Sequence, residues 1–178
     1  MKTFLRMFIY SAIVVWLGAE LFFPIVAQVA FAALAPQTHS AGQIVGACLA
    51  VIHHEGVICA ILIAIALIGA RHARIYTRAD MLSLLAVVVL MLGITVASEV
   101  FITPRINSYV VQAGGAIDAV PASDPNRIAF DKLHQASVHA EEAVILFGLA
   151  FVVLLARAEG RPAEIAEVAV PIPVALPV

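Results

Sequence analysis

The chain has 178 residues, the length of one domain, and 63% of them are apolar while only 12% are charged. Soluble domains run nearer half apolar and a quarter charged, so most of this chain suits a bilayer. A net charge of −2, with no basic patch carrying interleaved aromatics, excludes a nucleic-acid partner.

In chain order, four apolar stretches each offer the roughly 20 residues needed to cross the hydrocarbon core. The first covers residues 5–34. Lys2 and Arg6 stand at its start in the manner of a signal peptide, but the run is too long for one and holds Glu20 and Pro24. It reads as an uncleaved helix kinked at Pro24. The second stretch, 41–70, carries both cysteines. Cys48 and Cys59 are eleven residues apart, which on a helix is about 16 Å and too far for a disulfide. Gly42, Gly46, His53 and Ala60 share one stripe of this helix, read as a packing seam that turns His53 inward. Glu55 falls on another stripe, with Cys48, Ile52 and Cys59. The third stretch, 81–102, aligns Thr95 and Glu99 with Thr103. Residues 103–132, with Gly114, Gly115, Pro121 and Pro125, read as a mostly irregular loop. The fourth stretch, 133–156, carries Gln135, His139 and Glu142 on one stripe and His134, Ser137, Glu141 and Gly148 on the next. Beyond Gly160, prolines at 162, 171, 173 and 177 rule out another span. The chain is thus an all-α bundle of four transmembrane helices over 1–160. A Pro-rich tail over 161–178 is expected to be an extended or disordered cytoplasmic segment.

Basic residues near span ends set orientation. Lys2, Arg6, Arg71, Arg74, Arg78, Arg157 and Arg161 fall on one side, and Arg105, Arg127 and Lys132 on the other. Both termini are therefore expected to be cytoplasmic, with the turn near 36–40 and the loop after the third span facing outward. A multi-pass protein of a bacterial inner or plasma membrane fits this pattern. The lipid bilayer is its expected partner, and self-association into a homo-oligomer is the other partner class considered.

Six ionisable side chains inside the apolar stretches fall at nearly the same depth: Glu20, His53, Glu55, Glu99, His139 and Glu142. Depth follows from the nearest cytoplasmic anchor at about 1.5 Å per residue. Glu20 lies about 21 Å from Arg6, Glu55 and His53 about 24 and 27 Å from Arg71, and Glu99 about 28 Å from Asp80. Glu142 and His139 lie about 22 and 27 Å from Arg157. The six form one layer in the outer part of a core about 30 Å thick. Charged groups there cost several kcal/mol, so they face a bundle interior and mark a site.

Three uses suit such a layer. Imidazoles and carboxylates can hold a transition metal, with Glu20, His53, Glu99, His139 and Glu142 as candidate ligands. A b-type haem could sit between His53 or His54 and His139. A proton or ion relay needs the same groups. Against these stands a structural reading, in which the polar groups only tie helices together and Glu55 and Glu141 reach water at the interface. No phosphate loop, Cys-x-x-Cys pair or Ser–His–Asp pattern accompanies the layer, and no catalytic residue is assigned.

Four stretches carry a family resemblance. They are Trp16-Leu-Gly-Ala-Glu-Leu-Phe-Phe-Pro24, then Ala41-Gly-Gln-Ile-Val-Gly46 running into His53-His-Glu-Gly56, then Thr103-Pro-Arg-Ile-Asn107, and Phe130-Asp-Lys-Leu-His-Gln-Ala-Ser137. Together, in this order, they resemble the transmembrane protein 205-like family, also catalogued as domain of unknown function 4149. The resemblance implies a four-helix integral membrane protein and brings no assigned reaction. A more distant similarity to copper-resistance membrane proteins and haem-binding membrane oxidases implies metal or haem. His134 and Asn107 are the matched polar positions, and with His53, His54 and His139 His134 completes the candidate cofactor-binding set. The His53-His54-Glu55 and His139–Glu142 runs are richer than that family's pattern. The resulting expectation is a membrane protein holding a transition metal or haem near its outer face. The alternatives are an accessory bundle without cofactor and a membrane oxidoreductase.

Overall fold

The computed structural model describes residues 1–160, so the expected tail over 161–178 lies outside the described residues. Four long helices make up the bundle, with no strand among the described residues. Helix α1 spans Lys2–Ala33 and runs unbroken through Pro24. Helix α2 spans Thr38–His72. The third membrane-length helix, Arg78–Gln112, has three parts: α3 (Arg78–Ala97), a π-helical turn (Ser98–Ile102) and α4 (Thr103–Gln112). Helix α5 spans Pro125–Gly160. These four helices have 32, 35, 35 and 36 residues and are long and apolar enough to cross a membrane. Only about 20 residues are needed for that, so their ends project past the hydrocarbon.

Large apolar side chains such as Phe22 and Val29 of α1, Ile61 and Ile65 of α2, Val89 of α3 and Leu146 of α5 stay exposed on the bundle's outside. A helix apolar on every side belongs in lipid, and these residues mark a multi-pass membrane protein.

Inside, each helix buries one stripe at alternating steps of three and four, the spacing of one helical face. On α2 this stripe is His53, Gly56, Ala60, Ile63, Leu67 and Ala70. On α5 it is Ser137, Glu141, Val144, Gly148, Phe151 and Leu155. Helix α1 packs along α2, α2 along α3, and α3 along α5, while α5 closes the ring against α1. Gly56 and Gly148 allow the closest approaches. A Cβ on Gly56 would lie 2.6 Å from Trp16 Nε1, and one on Gly148 2.8 Å from Leu17 Cδ1. Gly42 and Gly46, expected in the packing seam, instead lie exposed with nothing near them. The continuous buried stripe runs from His53, and Gly56 on it faces the ring of Trp16.

At one end, Arg6 pairs with Glu159 at 3.0 Å, and the Tyr76 hydroxyl donates to the same carboxylate at 2.5 Å. The start of α1, the α2–α3 turn and the end of α5 therefore meet at one end of the bundle. Burial, then the Glu159 carboxylate, raises the Tyr76 phenol above its ordinary value.

The other end corrects the expected long irregular loop, because helix persists to Gln112 and resumes at Pro125. Proline lacks an N–H and its ring crowds the carbonyl four residues back. For Pro104 that carbonyl belongs to Val100, inside the π-turn, whose wider winding absorbs the conflict. Gly114 and Gly115, at φ +76 and +93, stop α4 by turning the chain left-handed. Pro125 then opens α5, where no donor is needed, and Asp124 Oδ1 accepts from Asn126 N at 2.8 Å.

Candidate functional site

The apolar stripes end, at equivalent heights, in polar side chains. Glu20 of α1 and His53 of α2 are each 1% exposed, as are Thr95 of α3 and Ser98 at the head of the π-turn. Glu141 of α5 is 9% exposed. All four membrane-length helices thus contribute to one buried polar centre.

His53 is its hub. Nδ1 lies 2.8 Å from Glu99 Oε2, and Nε2 lies 3.0 Å from Glu141 Oε1. Ser98 Oγ donates to the same Glu141 oxygen at 3.4 Å. On α1, Trp16 Nε1 donates to Glu20 Oε1 at 3.3 Å. The Glu20 carboxyl also neighbours that of Glu141 closely enough to share a hydrogen bond. Three buried oxygens, Glu20 Oε2, Thr95 Oγ1 and Glu141 Oε2, receive no donor from the protein as the side chains stand.

The contacts define a proton count. A carboxylate only accepts, and a neutral imidazole donates from one nitrogen. Each of the contacts Glu99–His53, His53–Glu141 and Glu141–Glu20 therefore needs one proton to become a hydrogen bond. Three carboxylates and a neutral ring carry three negative charges, and the ring's own N–H already supplies one of the three shared protons, so two more are taken up and one negative charge remains. The arrangement that satisfies every contact thus keeps one net negative charge in low-dielectric surroundings, which favours uptake of a further proton. Moving a proton along this chain requires only that it change sides within an existing contact.

The chain has an opening. Beside His53, between α2 and the third helix, lies a cavity of about 90 Å³ lined by His53, His54, Thr95, Glu99 and three valines. The Glu99 side chain is 34% exposed, whereas that of His53 is 1% exposed. Glu99 therefore joins the buried hub to the outside.

Of the residues singled out in the sequence, Glu20, His53 and Glu99 come together in this centre. His54 is exposed on the cavity rim, with Nδ1 2.6 Å from Ala50 O. His139 and Glu142 lie on the outward face of α5, 76% and 62% exposed, and pair only with each other at 3.0 Å. His134, also exposed, stacks on Phe130 with ring centroids 5.8 Å apart. Glu55 is half-buried and Asn107 exposed. Glu141, expected to reach water, is instead the buried partner of His53. Its signal was in the sequence, since it continues the stripe of Val144, Gly148, Phe151 and Leu155, whereas His139 and Glu142 do not. Among the described residues, no three or more His, Cys, Asp and Glu side chains are grouped to hold a metal ion. Both nitrogens of His53 are engaged by carboxylates, and His139 stands away from the centre that a haem would have to bridge.

No curated protein and no solved structure matches the chain. A family model does, and it covers α1 from residue 11 onward, α2, the third helix and its π-turn, hence Glu20, His53 and Glu99, while ending before Glu141. By this match over residues 11–114, the chain belongs to the family described as domain of unknown function (DUF4149).

Proposed function

We propose that this membrane protein takes up, holds and releases protons at the Glu20–Glu141–His53–Glu99 centre, acting as a proton-exchange bundle. One observation carries the reading: a buried imidazole sits between two carboxylates, with a third carboxyl beyond, in contacts that need three protons to be complete. Glu99, partly exposed at the cavity, is the entry and exit group. Glu20, buried on α1, is the inner terminus. A structural role would be served by one neutral polar pair and would not need a chain of titratable groups ending in an opening.

The test is infrared difference spectroscopy on the full chain in lipid nanodiscs, between about pH 5 and 8, where histidine titrates. Carboxylic-acid and imidazole bands should change together, and Glu20→Gln and His53→Gln should each remove part of the change. A centre with no protonation change over that range would overturn the proposal. A Soret band, or stoichiometric metal retained after purification, would overturn it in favour of the haem or transition-metal reading.

A further inference from the structure

The outward face of α5 carries a polar pair that the His53 centre leaves unused. Glu142 follows Glu141 by one residue, so the two differ in height by only about 1.5 Å, yet Glu142 points away from the bundle. His139 stands beside it, with Nδ1 3.0 Å from Glu142 Oε2. The apolar belt of the bundle continues well past that height. Val29 of α1 and Ile44 of α2 are both exposed. Each lies nine residues farther out than Glu20 or His53 of its own helix, about 13 Å. His139 and Glu142 thus stand within a surface that otherwise suits hydrocarbon, where ionisable groups are costly and turn toward protein partners. Their remaining atoms, His139 Nε2 and Glu142 Oε1, have no partner among the described residues.

The pair belongs to a longer pattern. Gln135, His139, Glu142, Leu146, Leu149 and Val153 follow at steps of four, three, four, three and four, and all are exposed. The buried stripe of α5, from Ser137 to Leu155, has the same steps two residues farther on. Two residues turn a helix by about 200°, so α5 has two seams on opposite faces. One is filled by its own bundle and the other is open. Steps of four and three are the spacing at which helices pack side by side in a left-handed pair, the commoner hand in membranes.

We infer that this open seam of α5 docks on the same seam of a second copy, giving a two-fold dimer within the membrane. Copies inserted the same way round are related by an axis along the membrane normal, so the two α5 helices run parallel and like positions meet. Leu146, Leu149 and Val153 pack against their counterparts, and the His139–Glu142 pairs meet nearer the outer face. Each His139 then offers Nε2 to Oε1 of Glu142 of the second copy, while Nδ1 keeps the Glu142 of its own helix. Four contacts close a circuit of two rings and two carboxyls. Two neutral rings bring two N–H protons and two protonated carboxyls bring two more, so every contact holds one proton and the circuit carries no net charge. Low-dielectric surroundings favour that state. Lipid tails offer neither donor nor acceptor to these atoms, whereas the same face of a second copy supplies both.

The experiment uses the full chain in phosphatidylcholine vesicles, with Cys48 and Cys59 replaced by alanine. A single cysteine is placed by Leu146→Cys on the seam, or by Ile58→Cys on the exposed side of α2. These positions match in height, each five residues inward from Glu141 or His53. On oxidation with copper phenanthroline, Leu146→Cys should give a cross-linked dimer that persists as lipid is added, and Ile58→Cys should not. Dimer strength is read separately, as the lipid dilution at which energy transfer between donor- and acceptor-labelled copies falls by half. His139→Leu combined with Glu142→Leu keeps the seam apolar and should weaken the dimer about tenfold, from loss of the interhelical hydrogen bonds. The exchange His139→Glu with Glu142→His rebuilds the circuit and should restore it. Trp16 emission should stay at the parent's in both variants, because this face lies outside the bundle core. Equal cross-linking at the two positions, a monomer at every dilution, dimerisation indifferent to the paired leucines, or an exchange variant no stronger than the leucine one would overturn the inference.

Discussion

Gly56 decides how Trp16 can serve Glu20. The indole is fully buried, and its Nε1 would lie 2.6 Å from any Cβ at position 56. A Gly56→Ala side chain must displace the ring that donates to Glu20 Oε1 at 3.3 Å. Overpacking of this kind costs about 1–3 kcal/mol, and the Glu20 carboxyl loses its one fixed donor. Trp16 is the single tryptophan of the chain, so its fluorescence reports on this site alone. Gly56→Ala should lower the unfolding midpoint in mild detergent and shift the emission. A variant with parental stability and emission would show that the contact does not constrain the ring. At this scale the sequence was half legible. An ionisable residue in an apolar run stands out by its cost alone, which exposed Glu20, His53 and Glu99. Glu141 was harder, because it adjoins Glu142, and the i, i+3 pair of His139 with Glu142 looks like a ligand motif. What separates the two carboxylates is the apolar stripe that Glu141 continues, and that periodicity outweighs local pairing in deciding which side chain faces the core.

Between elements, the Tyr76–Glu159 hydrogen bond fastens the α2–α3 turn to the end of α5, with Arg6 of α1 on the same carboxylate. Tyr76 is 3% exposed, whereas Arg6 is 44% exposed, so solvent weakens the ion pair far more than the hydrogen bond. Tyr76→Phe should destabilise the bundle by about 1.5–3 kcal/mol, the usual range for a hydrogen bond to a charged group. The pH dependence has a definite sign. The folded-state phenol is raised above its unfolded value, so its contribution is fully present below about pH 10 and is lost as pH climbs past that point. Comparing unfolding of the parent and Tyr76→Phe proteins across alkaline pH should show the gap closing. A gap that stayed constant or widened would remove the assigned cause. The elements themselves were legible where hydropathy runs long, and misread where proline and glycine gather. Pro104 and Pro125 look alike as breakers, yet one is accommodated by a π-turn and the other occupies a first helical position, where no N–H is needed. Winding changes of this kind leave no hydrophobic periodicity to read. The π-turn nevertheless matters to the site, since it starts at Ser98 and contains Glu99, the two residues that reach Glu141 and His53 from that helix.

For the whole molecule, the ion pair between Arg6 and Glu159 places the start of α1 and the end of α5 at one end of the bundle, leaving the side of the membrane to be assigned. Lys2, Arg6, Arg71, Arg74, Arg78 and Arg157 fall at that end of their helices, and Arg105, Arg127 and Lys132 at the other. The second group is partly neutralised within the fold. Arg127 pairs with Asp118 at 2.8 Å and Asp131 at 3.2 Å, and also donates to the Ile117 carbonyl at 3.0 Å. Basic charge therefore concentrates at the end where the start of α1 meets the end of α5. That asymmetry predicts a cytoplasmic location for this end, and it places the His53 centre nearer the outer face. Cysteines introduced singly at Gln37 and Ser123, with Cys48 and Cys59 replaced by alanine, would report the opposite end. Both should react with a membrane-impermeant maleimide added outside intact cells, whereas a cysteine at Arg74 should react only after the membrane is opened. The reverse pattern would invert the protein. It would also turn the mouth of the His53 centre toward the cytoplasm, so that protons would meet it from the other side.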